Sequence, residues 1–228
     1  MRHLFFISFM LLSAFHLNAN QAVQLLQQTI ETYANAKNLG MDIMVHEYDS
    51  PLDITGKILG KASVRKQDEN YYSSFLGDEM IINKKCCLLI DHADKSITYS
   101  DKDNLREKNK MPVLLDSIIT PNDSIVLKEI KDGLRHFIIY TKSSYINQTE
   151  VYVDDHTHLI KRIIYYYHEL SSDESIGAYK IELDYVLTSF SAPAKNCFDE
   201  SKYIVFKQGK PILQNSYSSY TLTISEPK

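Results

Sequence analysis

The sequence predicts an α+β chain that is mainly β, built on a strongly curved antiparallel sheet (an incomplete β-barrel) with an N-terminal helix. Two observations support this fold class. A helical apolar pattern occurs once near the N-terminus, and about a dozen short apolar segments bounded by Pro, Gly, Asp or Asn follow it. Helix and strand patterns do not alternate regularly, which favours one large antiparallel sheet over a parallel one. Short helices are expected to cover its concave, apolar face.

The first nineteen residues have the composition of a cleavable export signal. Arg2 and His3 form a short basic start, Leu4 to Phe15 a predominantly apolar core, and Leu17-Asn18-Ala19 a cleavage tripeptide. The apolar run is too short to span a bilayer as a helix. We therefore expect residues 1–19 to be a signal peptide, the mature chain to be periplasmic, and residues 20–228 to form a single domain.

Two helices are predicted, a long one from Gln21 to Asn38 and a short one from Pro112 to Ile119. Gly40 is a suitable stop for the first helix, and a proline suits the first turn of the second. In the long helix the apolar residues recur every three or four positions and should form one stripe: Val23, Leu26, Ile30, Tyr33 and Ala34. In the short helix the residues expected to share a face are Leu114, Leu115 and Ile118.

The remaining apolar segments are typical of strands, because β-branched and aromatic residues lie between turn-forming residues. Before the charged loop that precedes the short helix, these segments are MDIMVHEY, GKASVRK, NYYSSFLG, EMIIN, CCLLID and SITYSD. After Pro121 they are SIVLKEI, HFIIYTK, TEVYVDD, HLIKRIIYYYHEL, GAYKIELDYVLTSF, KYIVFKQ and YTLTISE.

Composition and motifs argue against several classes of function. The chain has 25 Lys and Arg against 29 Asp and Glu, mixed along its length, so a nucleic-acid partner is not expected. No Gly-x-Ser-x-Gly elbow, helical His-Glu-x-x-His or Gly-rich phosphate loop occurs in the sequence. We therefore predict no catalytic residue, no metal and no cofactor.

Two clusters of reactive residues favour structural roles. If Cys86 and Cys87 lie in a strand, they point to opposite faces, and their spacing fits no zinc pattern, so we expect buried small side chains. A disulfide from one of them to Cys197 stays open for an exported protein. His156 and His158, with the aspartates before them, could hold a metal, but their position between two apolar strands favours a hairpin turn.

The order of these segments resembles the periplasmic outer-membrane lipoprotein carrier family, the LolA/LolB-like proteins. The matching stretches cover about residues 21–206 and are, in order, GKASVRK with NYYSSF, EMIINKKCCLLIDHADKSIT, MPVLLDSII, EVYVDDHTHLIKRIIYYY with YKIELDYV, and KNCFDESKYI. Residues 207–228 extend past the match. The arginine that gates opening in the family falls on Lys66 here, with Arg65 adjacent, so an arginine-dependent opening mechanism does not transfer directly.

The resemblance implies a non-enzymatic, monomeric carrier that holds the acyl chains of a lipoprotein or lipid in a hydrophobic cavity. Its further partners would be membrane-bound donor or acceptor proteins. The residues expected to line the cavity or its rim are Ile43, Val45, Val64, Lys66, Tyr72, Leu88, Ile90, Leu114, Leu115, Ile118, Ile139, Ile163, Tyr165 and Leu183.

Two alternatives remain open. The main one is a structural or protein-interaction module on the same fold, in which the chain's own side chains fill the cavity and a sheet edge or the Tyr-rich C-terminal segment binds another protein. A hydrolase that uses the His156 and His158 region is a weaker one. Copurifying lipid would favour the carrier, and a dry, filled interior the interaction module.

Overall fold

The computed structural model of the protein describes residues 21–101, 123–143, 145–168 and 178–225. These residues contain an α-helix, α1, over residues 21–34, and fourteen strands. The strands are β1 Asn38–Tyr48, β2 Lys57–Gln67, β3 Asn70–Phe75, β4 Asp78–Ile82, β5 Cys86–Asp91, β6 Ser96–Asp101, β7 Ser124–Lys131, β8 Leu134–Tyr140, β9 Ile146–Asp154, β10 Ile160–Tyr167, β11 Lys180–Ser189, β12 Ile204–Lys207, β13 Lys210–Leu213 and β14 Thr221–Ile224. Short 3-10 turns occupy Lys195–Phe198, Glu200–Lys202 and Asn215–Tyr217.

Twelve of these strands form one sheet in the order β14-β6-β5-β4-β3-β2-β1-β11-β10-β9-β8-β7, and β12 pairs with β13 in a separate hairpin. The strand order has two free ends, so the sheet is not closed into a barrel. The predicted fold class, mainly β with an open antiparallel sheet and an N-terminal helix, is confirmed. One edge differs from the prediction, because β14 pairs with β6 in parallel, from Thr221 opposite Ser96 to Ile224 opposite Tyr99.

The residues cluster into two compact units. Unit 1 comprises the described residues of 1–35, 46–58 and 113–184, and unit 2 those of 36–45, 59–112 and 185–228. Strands β1, β2 and β11 contribute residues to both units. The organisation of residues 20–228 as a single domain stays a prediction, and the predicted signal peptide and the Pro112 to Ile119 helix lie outside the described residues.

Helix α1 ends earlier than the apolar pattern predicts. The prediction ran to Asn38, but that residue begins β1, where Leu39, Met41, Ile43 and Val45 are buried at every second position. This period of two is a strand pattern, and it prevails over the helical one. The buried stripe of the helix is also rotated from the predicted one, since Val23 is exposed and the buried members are Ala22, Leu26, Thr29 and Tyr33.

Unit 1 has an apolar sheet face that includes the anchor point of α1. Pairing places Ile163 opposite Val151 and Val151 opposite Phe137, and all three side chains are buried. The hydroxyl of Tyr33 accepts a hydrogen bond of 2.9 Å from the backbone N–H of Ile160, and both residues are buried. The helix is thus tied to β10 by a polar contact.

Unit 2 has a core built from one face of β4, β5 and β6 and from the C-terminal part of the chain. Its buried members are Ile81, Cys86, Leu88, Ile90, Ile97, Tyr99, Tyr203 and Ile204. Partly buried side chains pack against them, mostly from the C-terminal segment: Tyr72, Leu213, Tyr217, Tyr220 and Leu222. Residues 203–222 therefore cover this face with the chain's own side chains.

Candidate functional site

Strand pairing in unit 2 separates two faces of the sheet. On the first, which we call the Val64 face, one cross-strand row runs Val64, Ser73, Met80, Leu89 and Thr98, and the next runs Lys66, Tyr71, Ile82, Cys87 and Ser100. On the second, the Tyr72 face, the rows are Arg65, Tyr72, Ile81, Leu88 and Tyr99, and Ser63, Ser74, Glu79, Ile90 and Ile97. The core described above lies on the Tyr72 face.

The predicted ligand-binding residues of β2 to β5 do not share one of these faces. Val64 and Lys66 lie on the Val64 face, whereas Tyr72, Leu88 and Ile90 lie on the Tyr72 face. Leu88 and Ile90 are fully buried in the core that residues 203–222 complete. The structure therefore splits this part of the predicted set into two groups, and their contact with a ligand stays a prediction.

Four other predicted residues are brought together in unit 1. Ile163 pairs with Leu183, and Tyr165 pairs with Thr149, which pairs with Ile139, so all four predicted side chains lie on one face. Ile139 and Ile163 are buried, and Tyr165 and Leu183 are partly exposed. The remaining predicted residues of β1, Ile43 and Val45, are buried in unit 2, and the predicted residues Leu114, Leu115 and Ile118 lie outside the described residues.

The Val64 face carries an open apolar depression of about 440 Å³. Phe75 and Leu89 lie in it with 45% and 49% of their surface exposed, and Met80 lies beside them. Its other lining residues on this face are Ser73, Asp78, Asp91, Ser96 and Thr98. Half-exposed large apolar side chains on a sheet face, inside a concave surface, are typical of a binding site for an apolar ligand.

Sequence reasoning missed Phe75, Met80 and Leu89. The segment from Cys86 to Ile90 is apolar at every position, so its pattern does not say which side chains face which side of the sheet. The prediction took Leu88 and Ile90, but Leu89 is the residue that remains exposed. The neighbouring strand held a usable signal, because Met80 alternates with the charged Glu79 and so could have been placed on the face opposite to it.

The Tyr72 face carries a second, polar cavity of about 510 Å³, lined in part by Arg65, Glu79, Cys197 and Lys202. Arg65 donates from Nη1 to the backbone carbonyls of Met41 at 2.6 Å and Val64 at 2.9 Å. Its other terminal nitrogen bonds the carboxylate of Asp42. Arg65 is therefore held by neighbouring backbone, while Lys66, the other candidate for the predicted rim position, lies on the opposite face.

Glu79 is the electrostatic centre of this cavity. Its carboxylate accepts hydrogen bonds from the Tyr72 hydroxyl at 3.0 Å and from His92 Nε2 at 2.9 Å, and Lys202 Nζ lies 3.6 Å away. Burial alone raises the pKa of Glu79, but the bonds from His92, Tyr203 and Tyr72 and the charge of Lys202 outweigh it and lower the pKa below the usual range. The carboxylate is therefore ionised and satisfied by groups of the chain itself.

A second polar network lies in unit 1, on the face opposite its apolar one. Glu150 accepts hydrogen bonds from the Tyr152 hydroxyl at 2.8 Å and from the Gln148 amide at 2.9 Å, and His136 Nε2 lies 3.1 Å from it. The His136 ring stacks on Tyr152 with centroids 4.3 Å apart. Since the oxygens of Glu150 already have three partners, the network stabilises the sheet and leaves little capacity for a ligand.

The cysteines are as the strand pattern predicts. Cys86 and Cys87 are buried and lie on opposite faces, and all three cysteines are free thiols, so neither pairs with Cys197. Burial raises the pKa of Cys86 to about 12 and that of Cys87 to about 11. These two thiols are unreactive at neutral pH.

The histidine cluster after β9 forms the predicted hairpin turn. Asp154 Oδ1 accepts hydrogen bonds from the backbone N–H of Thr157 at 2.8 Å and of His156 at 3.2 Å. Within the described residues no group of three or more His, Cys, Asp or Glu side chains could hold a metal ion. Nor does any described helix have the length and apolarity needed to cross a membrane.

Solved structures similar to this chain include an uncharacterized conserved protein from Thermus thermophilus, with 10% identity, 76% of this chain and 90% of that chain covered, and a TM-score of 0.45. MucB is similar with 12% identity, coverage of 79% and 62%, and a TM-score of 0.43. A LolA superfamily protein from Nitrosomonas europaea is also among them, with 11% identity, coverage of 79% and 98%, and a TM-score of 0.35. The third of these structures bears the name of the superfamily that the sequence resembles.

No protein-family model and no curated protein matches the sequence. Identities of 10–12% and TM-scores of 0.35–0.45 describe a similarity of structure and assign no ligand, partner or residue role to this chain. A function therefore has to be argued from the residues themselves.

Proposed function

We propose that this chain is a non-catalytic, exported binding protein that holds an acyl chain of a lipid or lipoprotein against the Val64 face of unit 2. The observation that carries the proposal is the depression in which Phe75, Met80 and Leu89 lie together, with Phe75 and Leu89 about half exposed. Its volume of about 440 Å³ lies in the range of small-molecule sites. Each methylene group buried there would contribute roughly 0.8 kcal/mol.

The polar residues of the depression restrict the ligand further. The hydroxyls of Ser73 and Thr98 can bond a neutral oxygen, and the lining contains no Lys or Arg. Asp78 and Asp91 place two carboxylates at its edge, which would repel a phosphate or a free carboxylate bound beside them. We therefore expect an aliphatic chain with a neutral or cationic head group, or one whose anionic head lies outside the depression.

The decisive experiment replaces Leu89 by Glu and measures binding of a fluorescent acyl-chain probe. A charge in the depression should weaken binding by tenfold or more, because an acyl chain that covers the glutamate would remove its hydrating water. The matched control is Leu187→Glu, a leucine on β11 with 50% exposure that does not line the depression. In urea denaturation, the free energy of unfolding of each variant should lie within about 0.5 kcal/mol of the wild-type value. Equal affinities of the two variants would contradict the proposal.

Native mass spectrometry of gently extracted protein is an independent test. Copurified lipid in the wild type and its loss in Leu89→Glu would support the carrier. A lipid-free wild type that also fails to take up the probe would contradict it. Periplasmic location, a monomeric state and exchange with membrane-bound donor or acceptor proteins belong to the same proposal.

One observation favours the second candidate, a protein-interaction module. The Tyr72 face of unit 2 is filled by Tyr203, Ile204 and the tyrosines of the C-terminal segment, as expected for an interior closed by its own side chains. In that case Leu89 would contact a partner protein rather than an acyl chain. Leu89→Glu would then abolish capture of that partner, while no acyl-chain probe would bind to the wild type.

A further inference from the structure

The loop between β1 and β2, residues 49–56, presents large apolar side chains to the solvent. Leu52 and Ile54 at its tip are each 90% exposed, and Ile58, just after it, is 61% exposed. Single exposed apolar residues are ordinary on protein surfaces, but here three aliphatic side chains occur within seven positions. Such a group is typical of a surface that is covered by a partner.

Polar groups of the loop itself bond to one another at the tip. The carboxylate of Asp53 accepts hydrogen bonds from the backbone N–H groups of Thr55 at 3.1 Å and Gly56 at 3.0 Å. Gly56 has a φ of +62°, and a Cβ added to it would lie 2.7 Å from the Tyr48 ring at the base of the loop. The carboxylate is thus turned toward its own backbone, while Leu52 and Ile54 on either side of it are directed to the solvent.

The small size of the tip decides what kind of partner fits it. A stable protein interface buries about 800 Å² on each partner and about 20–30 residues, which a tip with two projecting aliphatic side chains cannot supply. A lipid surface needs no complementary groove and accepts a small apolar projection at its interfacial region. The charged residues of the loop and its flanks are Glu47, Asp49 and Asp53 against Lys57, an acidic excess, so attraction to anionic lipid is not expected.

We propose that the β1–β2 loop docks on a lipid membrane by inserting Leu52 and Ile54 into its interfacial region. The contact is weak and reversible, because two aliphatic side chains bury less apolar surface than a single myristoyl chain, which itself binds only marginally. It does not rest on the acyl-chain site proposed for unit 2. It would bring the protein to a membrane whatever that site holds.

The absence of tryptophan from the sequence allows a direct test with the full chain. Leu52→Trp introduces a single fluorophore at the tip, and Val186→Trp introduces one on β11 at a residue that is 70% exposed. With phosphatidylcholine vesicles, Leu52→Trp should shift its emission to shorter wavelength and be quenched by brominated acyl chains. Val186→Trp should do neither. The emission of this tryptophan depends on the surroundings of residue 52 alone. The test therefore distinguishes insertion of the tip from binding of the vesicle by another segment.

The lipid composition separates the apolar mechanism from an electrostatic one. Adding phosphatidylglycerol should not strengthen the partitioning of Leu52→Trp to the vesicles, and raising the salt concentration should not weaken it. The double variant Leu52→Ser with Ile54→Ser should lower partitioning to the vesicles on the order of tenfold or more, and Val186→Ser should leave it unchanged.

Three results would overturn the proposal. The first is a tip tryptophan that stays in water with phosphatidylcholine vesicles, including one that responds only when anionic lipid is present. The second is an equal response from Val186→Trp. The third is a shift that depends on protein concentration without vesicles, which would make the tip a contact between two copies of the chain.

Discussion

His92 Nε2 lies 2.9 Å from Oε1 of Glu79, within a cavity where the carboxylate is also bonded by Tyr72. The other ring nitrogen of His92 lies 2.7 Å from the hydroxyl of Tyr220. The imidazole therefore joins β4 to the C-terminal segment that covers the Tyr72 face. Because Lys202 and Tyr203 also approach Glu79, one carboxylate holds several contacts between the sheet and residues 202–220.

Replacing Glu79 by Gln should reduce the free energy of unfolding by roughly 1–3 kcal/mol at neutral pH, since a buried acceptor of charged hydrogen bonds is lost. Urea denaturation at pH 7 measures this loss. Asp78→Asn is the control, because Asp78 is an exposed neighbour on the same strand and points to the other face. An equal loss of unfolding free energy in Asp78→Asn would contradict this, because it would assign the effect to the negative charge of β4 and not to the hydrogen bonds of Glu79.

The pH dependence of the same variant has a definite sign. The folded protein holds the pKa of Glu79 below its usual range. Its contribution to stability is therefore fully present above the unfolded pKa, about 4.3, and is lost as the pH falls through the folded value. The difference between wild type and Glu79→Gln should narrow on acidification below about pH 4. A difference that stays constant down to acid unfolding would contradict the lowered pKa.

Tyr33→Phe should weaken the attachment of α1 to unit 1. The substitution leaves the buried N–H of Ile160 without the acceptor that lies 2.9 Å away, at a cost of roughly 1–3 kcal/mol. Tyr145→Phe, at an exposed tyrosine of the same unit, should cost less than about 0.5 kcal/mol. Urea denaturation and hydrogen exchange in residues 21–34 measure the effect. Unchanged exchange in the helix would contradict the anchoring role of the Tyr33 hydroxyl.

The alternating strands of unit 2 show what the sequence could and could not predict. In β1 apolar residues alternate along the sequence, and this alternation predicts a strand in which Ile43 and Val45 share one face. Both residues are buried in the structure. In β5 every residue from Cys86 to Ile90 is apolar, so either parity was compatible with the sequence. Leu89 could be placed on its face only by the pairing with Met80.

The C-terminal segment shows a second limit. Its last strand could be recognised from the YTLTISE pattern, but parallel pairing with β6 depends on contacts between residues more than a hundred positions apart. Tyr217 and Tyr220 pack on the Tyr72 face, which made Leu88 and Ile90 core residues there. No local pattern in either segment reveals that they meet.

Cysteine labelling should distinguish the three thiols. With a thiol reagent at about pH 8, Cys197 should react slowly in the folded protein, because it is partly exposed and burial raises its pKa. Cys86 and Cys87, with pKa values of about 12 and about 11, should react only after denaturation. Peptide mapping by mass spectrometry assigns the labels. Rapid native labelling of Cys87 would mean that the Val64 face opens more readily than the structure indicates.

Gly56→Ala should destabilise unit 1 more than an alanine at another glycine of positive φ. A Cβ at Gly56 would lie 2.7 Å from the Tyr48 ring, so the ring or the loop must move, whereas a Cβ at Gly133, with a φ of +76°, meets open space. Both substitutions place alanine in the left-handed region at a cost of about 1–2 kcal/mol. Gly56→Ala should cost a further 1–3 kcal/mol or so for the steric overlap, as measured by urea denaturation.

The steric origin of that difference can be tested by a double-mutant cycle with Tyr48→Leu. The smaller side chain removes the ring atoms that the new Cβ would meet, so the cost of Gly56→Ala in this background should fall to that of Gly133→Ala. Tyr48→Leu also removes the contact of Lys180 Nζ with the Tyr48 ring, 3.9 Å from its centroid. This loss of stability is the same in Tyr48→Leu with Gly56 and in Tyr48→Leu with Gly56→Ala, so it cancels in their difference. A cost that persists in the Tyr48→Leu background would assign it to backbone strain of the loop, and the close packing of Tyr48 on Gly56 would then not be what holds the Leu52 and Ile54 tip.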